Sequence, residues 1–423
     1  MVKTLKENYY HRSTCRLCES NNLKLVIPLE KIPITEKYVG LDERDLKDEL
    51  YPIDVYMCLD CSHVQLLDVI DPNILWDDFT FRTAQAQIII EHIKDITKAT
   101  CEKYEIPEKS LVIDVGSNDG TLLQGFKDHQ MKVVGIDPAE KIAMEANNAG
   151  IPTIPKFLTK SLVKEIVKEH GKAYVVTCFN AFAHTDDMNQ YMSCIADMVA
   201  PEGIFIFEVS YLVDIIDDLL LGAIIHEHLC HHSVIPMVEF LKRHGMELIS
   251  IERNHFQGGS FIGTAQHISG SRKVNGSVSE TIEYEKKRKL HLPETIEVFS
   301  SRLSKLVDES TRLFSKWADE NAVIAGFGAA RSGPTLLAQF KIGNEISFIF
   351  DDHPQKVNKY TPGDKIKVYP TQELVKRMPD YTVILAWVHA DTIISNNHEY
   401  LIKGGNFVLL LPEIKIISAR DVI

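Results

Sequence analysis

The chain has 423 residues, 45% hydrophobic and 25% charged, with 46 basic against 59 acidic side chains for a net charge of −13. That length gives room for roughly two to four domains, and that charge argues against a general attraction to nucleic acid. No apolar run approaches the roughly 20 residues of a membrane span, and the opening MVKTLKENYYHR has no apolar core for a signal peptide, so no membrane contact and a cytoplasmic location are expected.

Taken in order, the chain first presents two matched pairs, Cys15-x-x-Cys18 and Cys58-x-x-Cys61, separated by short strand-like runs. Each pair turns two thiolates toward one point, so together they predict a closed, tetrahedral zinc site with a structural role. Cys101, Cys178, Cys194 and Cys230 are scattered, which fits metal in a reducing compartment and not a disulfide framework. From Asp71 to Lys103 the pattern is helical, and the aromatic string Trp76, Phe79 and Phe81 reads either as packing or as a face toward a substrate.

The centre of the chain is LVIDVGSNDGTLL, Leu111 to Leu123. A short apolar run ends at Asp114, a glycine turn follows with Gly116 and Gly120, and a helix begins. Glycine belongs where a ligand lies against the backbone. The next strand ends at Asp137-Pro138, where a carboxylate is placed to accept from ribose hydroxyls. Between the glycines stand Ser117, Asn118 and Asp119, and an acidic loop repels a diphosphate while suiting the ammonium and sulfonium of S-adenosylmethionine. Alternating strands and helices from Leu111 to Phe207 predict a doubly wound parallel sheet, an α/β fold with ligands at the carboxyl ends of its strands. Asn180, Ala181 and His184 follow the third of these strands, at that edge. His184 reads as a chemical residue or as a packing one.

His226-Glu227-His228-Leu229-Cys230-His231-His232 is the densest titratable cluster. His226 and His228 share a face if it is extended, His228 and His232 if it is helical. General acid/base work and a second metal site both fit such imidazoles, as does a solvated or merely structural cluster. Gln257-Gly258-Gly259-Ser260 is a glycine turn able to bring backbone N–H groups to a ligand, and Ser279 to Asn321 reads as a linking helical region. A third unit opens at Ala322: Gly326, Gly328 and Gly333 follow an apolar strand, Arg331 adds a cation, and Asp351-Asp352 end the next strand. That pattern predicts a second Rossmann-like unit whose turn resembles a phosphate-cradling one, and it fits a dinucleotide, a sugar nucleotide or no ligand alike.

Together these motifs resemble the sugar C-methyltransferases that act on nucleotide-linked 4-ketosugars. The resemblance runs over nearly the whole chain: both Cys-x-x-Cys pairs, GSNDGTLL, Asn180 to His184, PEGIFIFEVSYL, His226-Glu227-His228, Gly258-Gly259-Ser260, Gly326 to Ala330, FDDHPQK and Leu385-Ala386-Trp387. It implies a zinc-binding domain (1–75), a central class I methyltransferase domain (76–300) binding S-adenosylmethionine, and a Rossmann-like C-terminal domain (301–423) that helps hold the substrate. The expected roles are His228 as base, Glu227 holding it, and His184 and His226 beside it. Asp114, Gly116, Ser117, Asn118, Asp119, Gly120, Asp137, Pro138, Asn180 and Ala181 are assigned to the cofactor; Phe79, Phe81, Gly259, Ser260, Arg331 and Lys356 are assigned to a nucleotide-sugar substrate. A monomer or small homo-oligomer is expected. The chain departs from the family at Ile225, Phe79 and Phe81, where tyrosines are usual, and at His231-His232, where Tyr-Tyr is usual. N- or O-methylation of a nucleotide sugar on the same scaffold, or a catalytically altered binding protein, is therefore the alternative.

Overall fold

A computed structural model describes residues 8–76, 81–85 and 87–421. The N-terminal region is built of short strands: β1 (Tyr9–His11), β2 (Leu23–Ile27), β3 (Val55–Cys58), β4 (Val64–Leu66) and β5 (Asp68–Ile70). β1 pairs with β5, and β2, β3 and β4 form an antiparallel meander. The stretch read as helical from Asp71 to Lys103 is two helices, Pro72–Trp76 and Gln87–Lys103.

The central sheet comprises β6 (Leu111–Val115), β7 (Lys132–Ile136), β8 (Thr153–Ile154), β9 (Ala173–Phe179) and β10 (Val199–Ser210). After β11 (Cys230–His231) it is completed by β12 (Met246–Asn254) and β13 (Ser260–His267). Its order is β12-β13-β10-β9-β6-β7-β8, with β13 antiparallel to both neighbours, the class I methyltransferase arrangement. Val112 and Ile113 in β6 are fully buried, as expected of a parallel strand covered on both faces. The crossover helices start where short polar side chains satisfy free backbone N–H groups: Thr159 accepts from Leu162 N at 3.2 Å and Asp187 from Gln190 N at 2.9 Å.

The C-terminal sheet runs β14 (Ile324–Phe327), β15 (Phe348–Phe350), β16 (Val368–Tyr369), β17 (Tyr381–Ile384), β18 (Asn406–Leu409) and β19 (Lys415–Ile417), in the order β16-β15-β14-β17-β18-β19. In both sheets the chain winds outward from one strand and then reverses, at β6/β9 and at β14/β17. A crevice opens at the carboxyl ends where the order reverses.

The linking region is two helices, Gly276–Lys287 and Pro293–Asp319. The longer one touches all three parts. Ser300 donates to the Val26 carbonyl at 3.2 Å, Arg302 to those of Ile216 and Asp217 at 2.8 Å, and Trp317 stacks on Tyr381 of β17 at 3.9 Å. Such a stacked pair adds about 0.5–1.5 kcal/mol beyond its buried area. Among the described residues, no helix is long and apolar enough to cross a membrane.

Candidate active site between two glycine loops

Gly116 and Gly120 take φ values of +79° and +80°, and a Cβ on Gly116 would lie 2.5 Å from the methyl of Ala181. The loop after β6 is thus pressed against the start of the β9 loop, with no side chain between. Asp137 holds it from the other side: Oδ2 accepts the Asn118 N–H at 2.8 Å and Oδ1 the Ala139 N–H at 2.9 Å, with Pro138 between. Each oxygen keeps a second lone pair for a ribose hydroxyl. Ser117 Oγ is buried without a hydrogen-bond partner among the described residues, which suits a polar ligand in this cradle. Asp114 accepts from Thr177 Oγ1 at 2.7 Å, and burial, helped by Asp137, pushes its carboxyl up to about 7. Asp119 is engaged by backbone instead. It accepts from Ala84 N at 2.8 Å and from Thr121 at the helix start.

Residues 81–84 lie along this loop, because Asn118 accepts from Thr83 N at 3.0 Å and donates to the Phe81 carbonyl at 3.1 Å. Phe79 lies outside the described residues. Asn180, at φ +53°, donates to Glu208 of β10 at 3.4 Å. Glu208 is buried and also accepts from His92 and Asn254, each at 2.8 Å. Glu208 is absent from the residues expected at the site, though a lone charge inside the apolar run Ile204–Val209 marks it in sequence.

The histidine cluster is neither a single strand nor a helix. Residues 226–227 form a turn and β11 follows, so the alternate-face expectations both lapse. His228 stacks on His184 with ring centroids 5.2 Å apart and planes 8° from parallel. Nδ1 of His228 donates to the Ala223 carbonyl at 2.8 Å, which leaves Nε2 with its lone pair. The orienting acceptor is therefore a backbone carbonyl and not the expected Glu227. Glu227 is buried next to it, with Oε2 unpartnered among the described residues. Burial lowers His228, with Glu227 opposing and Arg331 adding to the fall; burial, then His228 and Arg331, holds His184 well below the ordinary histidine value. His226 points elsewhere: Nε2 meets the Tyr51 carbonyl at 3.3 Å, and burial takes it down to about 4. His231 and His232 are buried, at about 3 and about 4. No second metal site forms among the described residues, where the four paired cysteines are the one group of three or more ligands that converges.

Those cysteines fit zinc. Cys15 and Cys61 sulfurs are 3.6 Å apart and Cys18 and Cys58 sulfurs 3.5 Å apart, close to the edge of about 3.8 Å of a tetrahedron with Zn–S near 2.3 Å. All four positions are taken by protein, so the site is structural.

Across the crevice, Gly328 has φ +89° and a Cβ there would lie 2.7 Å from the Ala386 methyl. Asp351 accepts from Ala329 N and His353 N, both at 2.7 Å. The Arg331 guanidinium lies 5.7 Å from the Phe81 ring centroid and its Nε is 3.5 Å from Glu36. Lys356 pairs with the same carboxylate at 3.2 Å and donates to the Ala329 carbonyl at 3.0 Å, where Tyr38 also donates at 3.0 Å. Glu36 and Tyr38 come from the irregular stretch ITEKYVG, which carries no signal in sequence. Gly259 and Ser260 are built into the sheet edge: Gly259 N donates to the Phe256 carbonyl at 3.0 Å, a Cβ there would strike Asp214, and Ser260 Oγ donates to Phe256 at 3.2 Å.

Three family models match in sequence order: a zinc binding domain over residues 15–76, a methyltransferase domain over 86–251 and a C-methyltransferase C-terminal domain over 255–412. C-methyltransferase NovU of Streptomyces niveus is 30% identical over 409 residues, covering 96% of this chain and 97% of that protein. Among solved structures, magnesium protoporphyrin IX methyltransferase from Synechocystis PCC 6803 with bound SAH is 18% identical over 46% of this chain and 99% of its own, with a TM-score of 0.35. An S-adenosylmethionine-dependent methyltransferase from Clostridium acetobutylicum is 11% identical over 44% of this chain and 95% of its own, with a TM-score of 0.36. On its near full-length likeness to NovU and the three matched models, the chain belongs to the C-methyltransferase family and is an S-adenosylmethionine-dependent enzyme.

Proposed function

We propose that this enzyme methylates the carbon next to the carbonyl of a nucleotide-linked 4-ketodeoxysugar, through an enolate. The observation that carries the reading is His228, held by Ala223 as a neutral imidazole whose Nε2 has no partner among the described residues, parallel to His184 and within the field of Arg331. Carbon becomes nucleophilic once a proton beside a carbonyl is removed. In this reading the C3 proton passes to Nε2 of His228, the electron pair left behind spreads onto the carbonyl oxygen, and C3 then takes the methyl group. S-adenosylmethionine would be held by the Gly116–Gly120 loop, Asp114 and Asp137, and would supply that methyl as an electrophile as its S–CH3 bond breaks to leave S-adenosylhomocysteine. Ile225 is buried and Phe81 has no hydroxyl, so His184 takes the place of a phenol at the developing oxyanion. Arg331 and Lys356 meet the diphosphate, and the thiolate zinc site suits work in a reducing cytoplasm.

His228→Asn tests this reading. Calorimetric affinity for S-adenosylhomocysteine should stay within about twofold, while turnover on nucleotide ketosugars falls by about 10² to 10⁴. Wild-type enzyme should wash deuterium out of C3 of the sugar. Near-normal turnover, or a methylated product that keeps its C3 deuterium on an N- or O-methyl sugar, overturns the carbon chemistry.

A further inference from the structure

We propose that Arg16, between the two cysteines of the first zinc knuckle, is a positioning residue that sets the His184–His228 pair. The side chain is fully buried at 0% exposure. A buried guanidinium carries a desolvation penalty that a neutral residue of the same shape avoids, so space-filling alone explains it poorly. Its partners lie on both histidine-bearing loops.

On the His228 side, β11 begins two residues after the histidine and is the outer strand of the N-terminal sheet, with Cys230 opposite Gln65 and His231 opposite Val64. The Leu229 carbonyl accepts from Leu66 N at 3.0 Å and from Arg16 Nη1 at 3.5 Å. The same Nη1 donates to the Leu66 carbonyl and, at 3.2 Å, to Gln65 Oε1, which also accepts the Arg16 N–H at 3.0 Å. On the His184 side, Arg16 Nε lies 3.2 Å from Oδ1 of Asp186, two residues past the histidine. Arg12 holds Asp186 as well, through its carboxylate and its carbonyl at 3.2 Å, and Tyr10 donates to it. The two loops then meet directly, Cys230 N donating to the Ala183 carbonyl at 3.2 Å. Zinc held by Cys15 and Cys18 fixes the backbone from which Arg16 projects. The metal module therefore anchors the base loop as well as its own fold.

Arg16→Lys keeps the charge but loses the planar group whose Nη1 reaches the Leu229 carbonyl while its Nε faces Asp186 as an ion pair. Expected are one zinc per chain, S-adenosylhomocysteine affinity within about twofold, and a kcat lowered by about 10- to 100-fold, the scale of a roughly 1 Å misplacement. Because part of the effect passes through His228, the same change in a His228→Asn background should lower turnover by a clearly smaller factor than in the wild type. Asp186→Asn breaks the link from its partly exposed end and must reproduce the pattern; it stands in if Arg16→Lys does not fold. Equal losses in both backgrounds, or a cofactor affinity that falls in step with kcat, overturn the proposal. The inference rests on the base assignment above, and histidine-labelled NMR separates the two. The imidazole resonances of His184 and His228 should move in Arg16→Lys, and unmoved resonances sink the positioning role whatever His228 does. Normal turnover in His228→Asn alone sinks only the base assignment.

Discussion

The two Rossmann-type sheets solve one problem twice. In each, the first glycine of the loop after the opening strand abuts an alanine after the fourth strand, Gly116 on Ala181 and Gly328 on Ala386. In each, an aspartate after the second strand accepts one N–H from that loop and one from two residues beyond itself, as Asp137 and Asp351 do. What differs is charge. Asp114 lies buried below the first loop, whereas Arg331 and Lys356 stand at the second. On the function proposed above, the shared backbone geometry makes a bed for a nucleoside-type ligand at each loop, and the side chains around it choose between a cation and an anion.

The widest break between the two beds should come from their glycines. An alanine at a left-handed position costs about 1–2 kcal/mol, and here the added methyl also meets another methyl within 2.5 Å at Gly116 and 2.7 Å at Gly328. Gly116→Ala should weaken S-adenosylhomocysteine binding by about 10- to 100-fold and leave the sugar-nucleotide KM alone; Gly328→Ala should do the reverse. Calorimetry and steady-state kinetics read the two arms. If both variants damage the same ligand, the beds do not serve separate ligands.

Charge gives the next effect. Arg331→Gln should raise the sugar-nucleotide KM by about 10-fold or more, the loss of a hydrogen bond to a charged group, without touching S-adenosylhomocysteine affinity. Glu36 competes for both cations, at 3.5 Å from Arg331 and 3.2 Å from Lys356, so Glu36→Gln should lower that KM. A KM that rises in both variants would mean that Glu36 orders the cations instead of competing for them.

How much of this was legible depends on whether the function sits in a side chain with a local pattern. The loop at Gly116 and the one at Gly328 announce themselves, since a short apolar run, glycine and a carboxylate after the next strand all follow from the need to bring backbone to a ligand. The four cysteines do so by spacing alone. Ala223 could not be found, because what it contributes is a carbonyl, and every residue has one. Tyr38 and Glu36 reach the second loop by tertiary contact from an irregular stretch. The His226–His232 segment defeats periodicity because it is a turn followed by a strand whose partner, β4, lies far upstream.

The smallest effect is the one that separates the beds most finely. The Asp114 carboxyl has a value of 3.8 when free and about 7 in the fold, mainly from burial. Between those values the native chain holds a proton that the unfolded chain has lost, so this group's contribution to stability is present below 3.8, declines as pH rises and is gone above about 7. Asp114→Asn should therefore melt above the wild type at pH near 8 and converge with it near pH 4. The ligand's α-ammonium favours the ionised form and expels the proton. Wild-type affinity for S-adenosylhomocysteine should rise by about five- to tenfold from pH 6 to 7.5, a span that stays below the titration of the ligand's own α-amino group. The rise should vanish in Asp114→Asn, and calorimetry in buffers of different ionisation enthalpy should count the released proton. A profile as steep in the variant as in the wild type would show that the acidic bed owes nothing to this buried carboxylate.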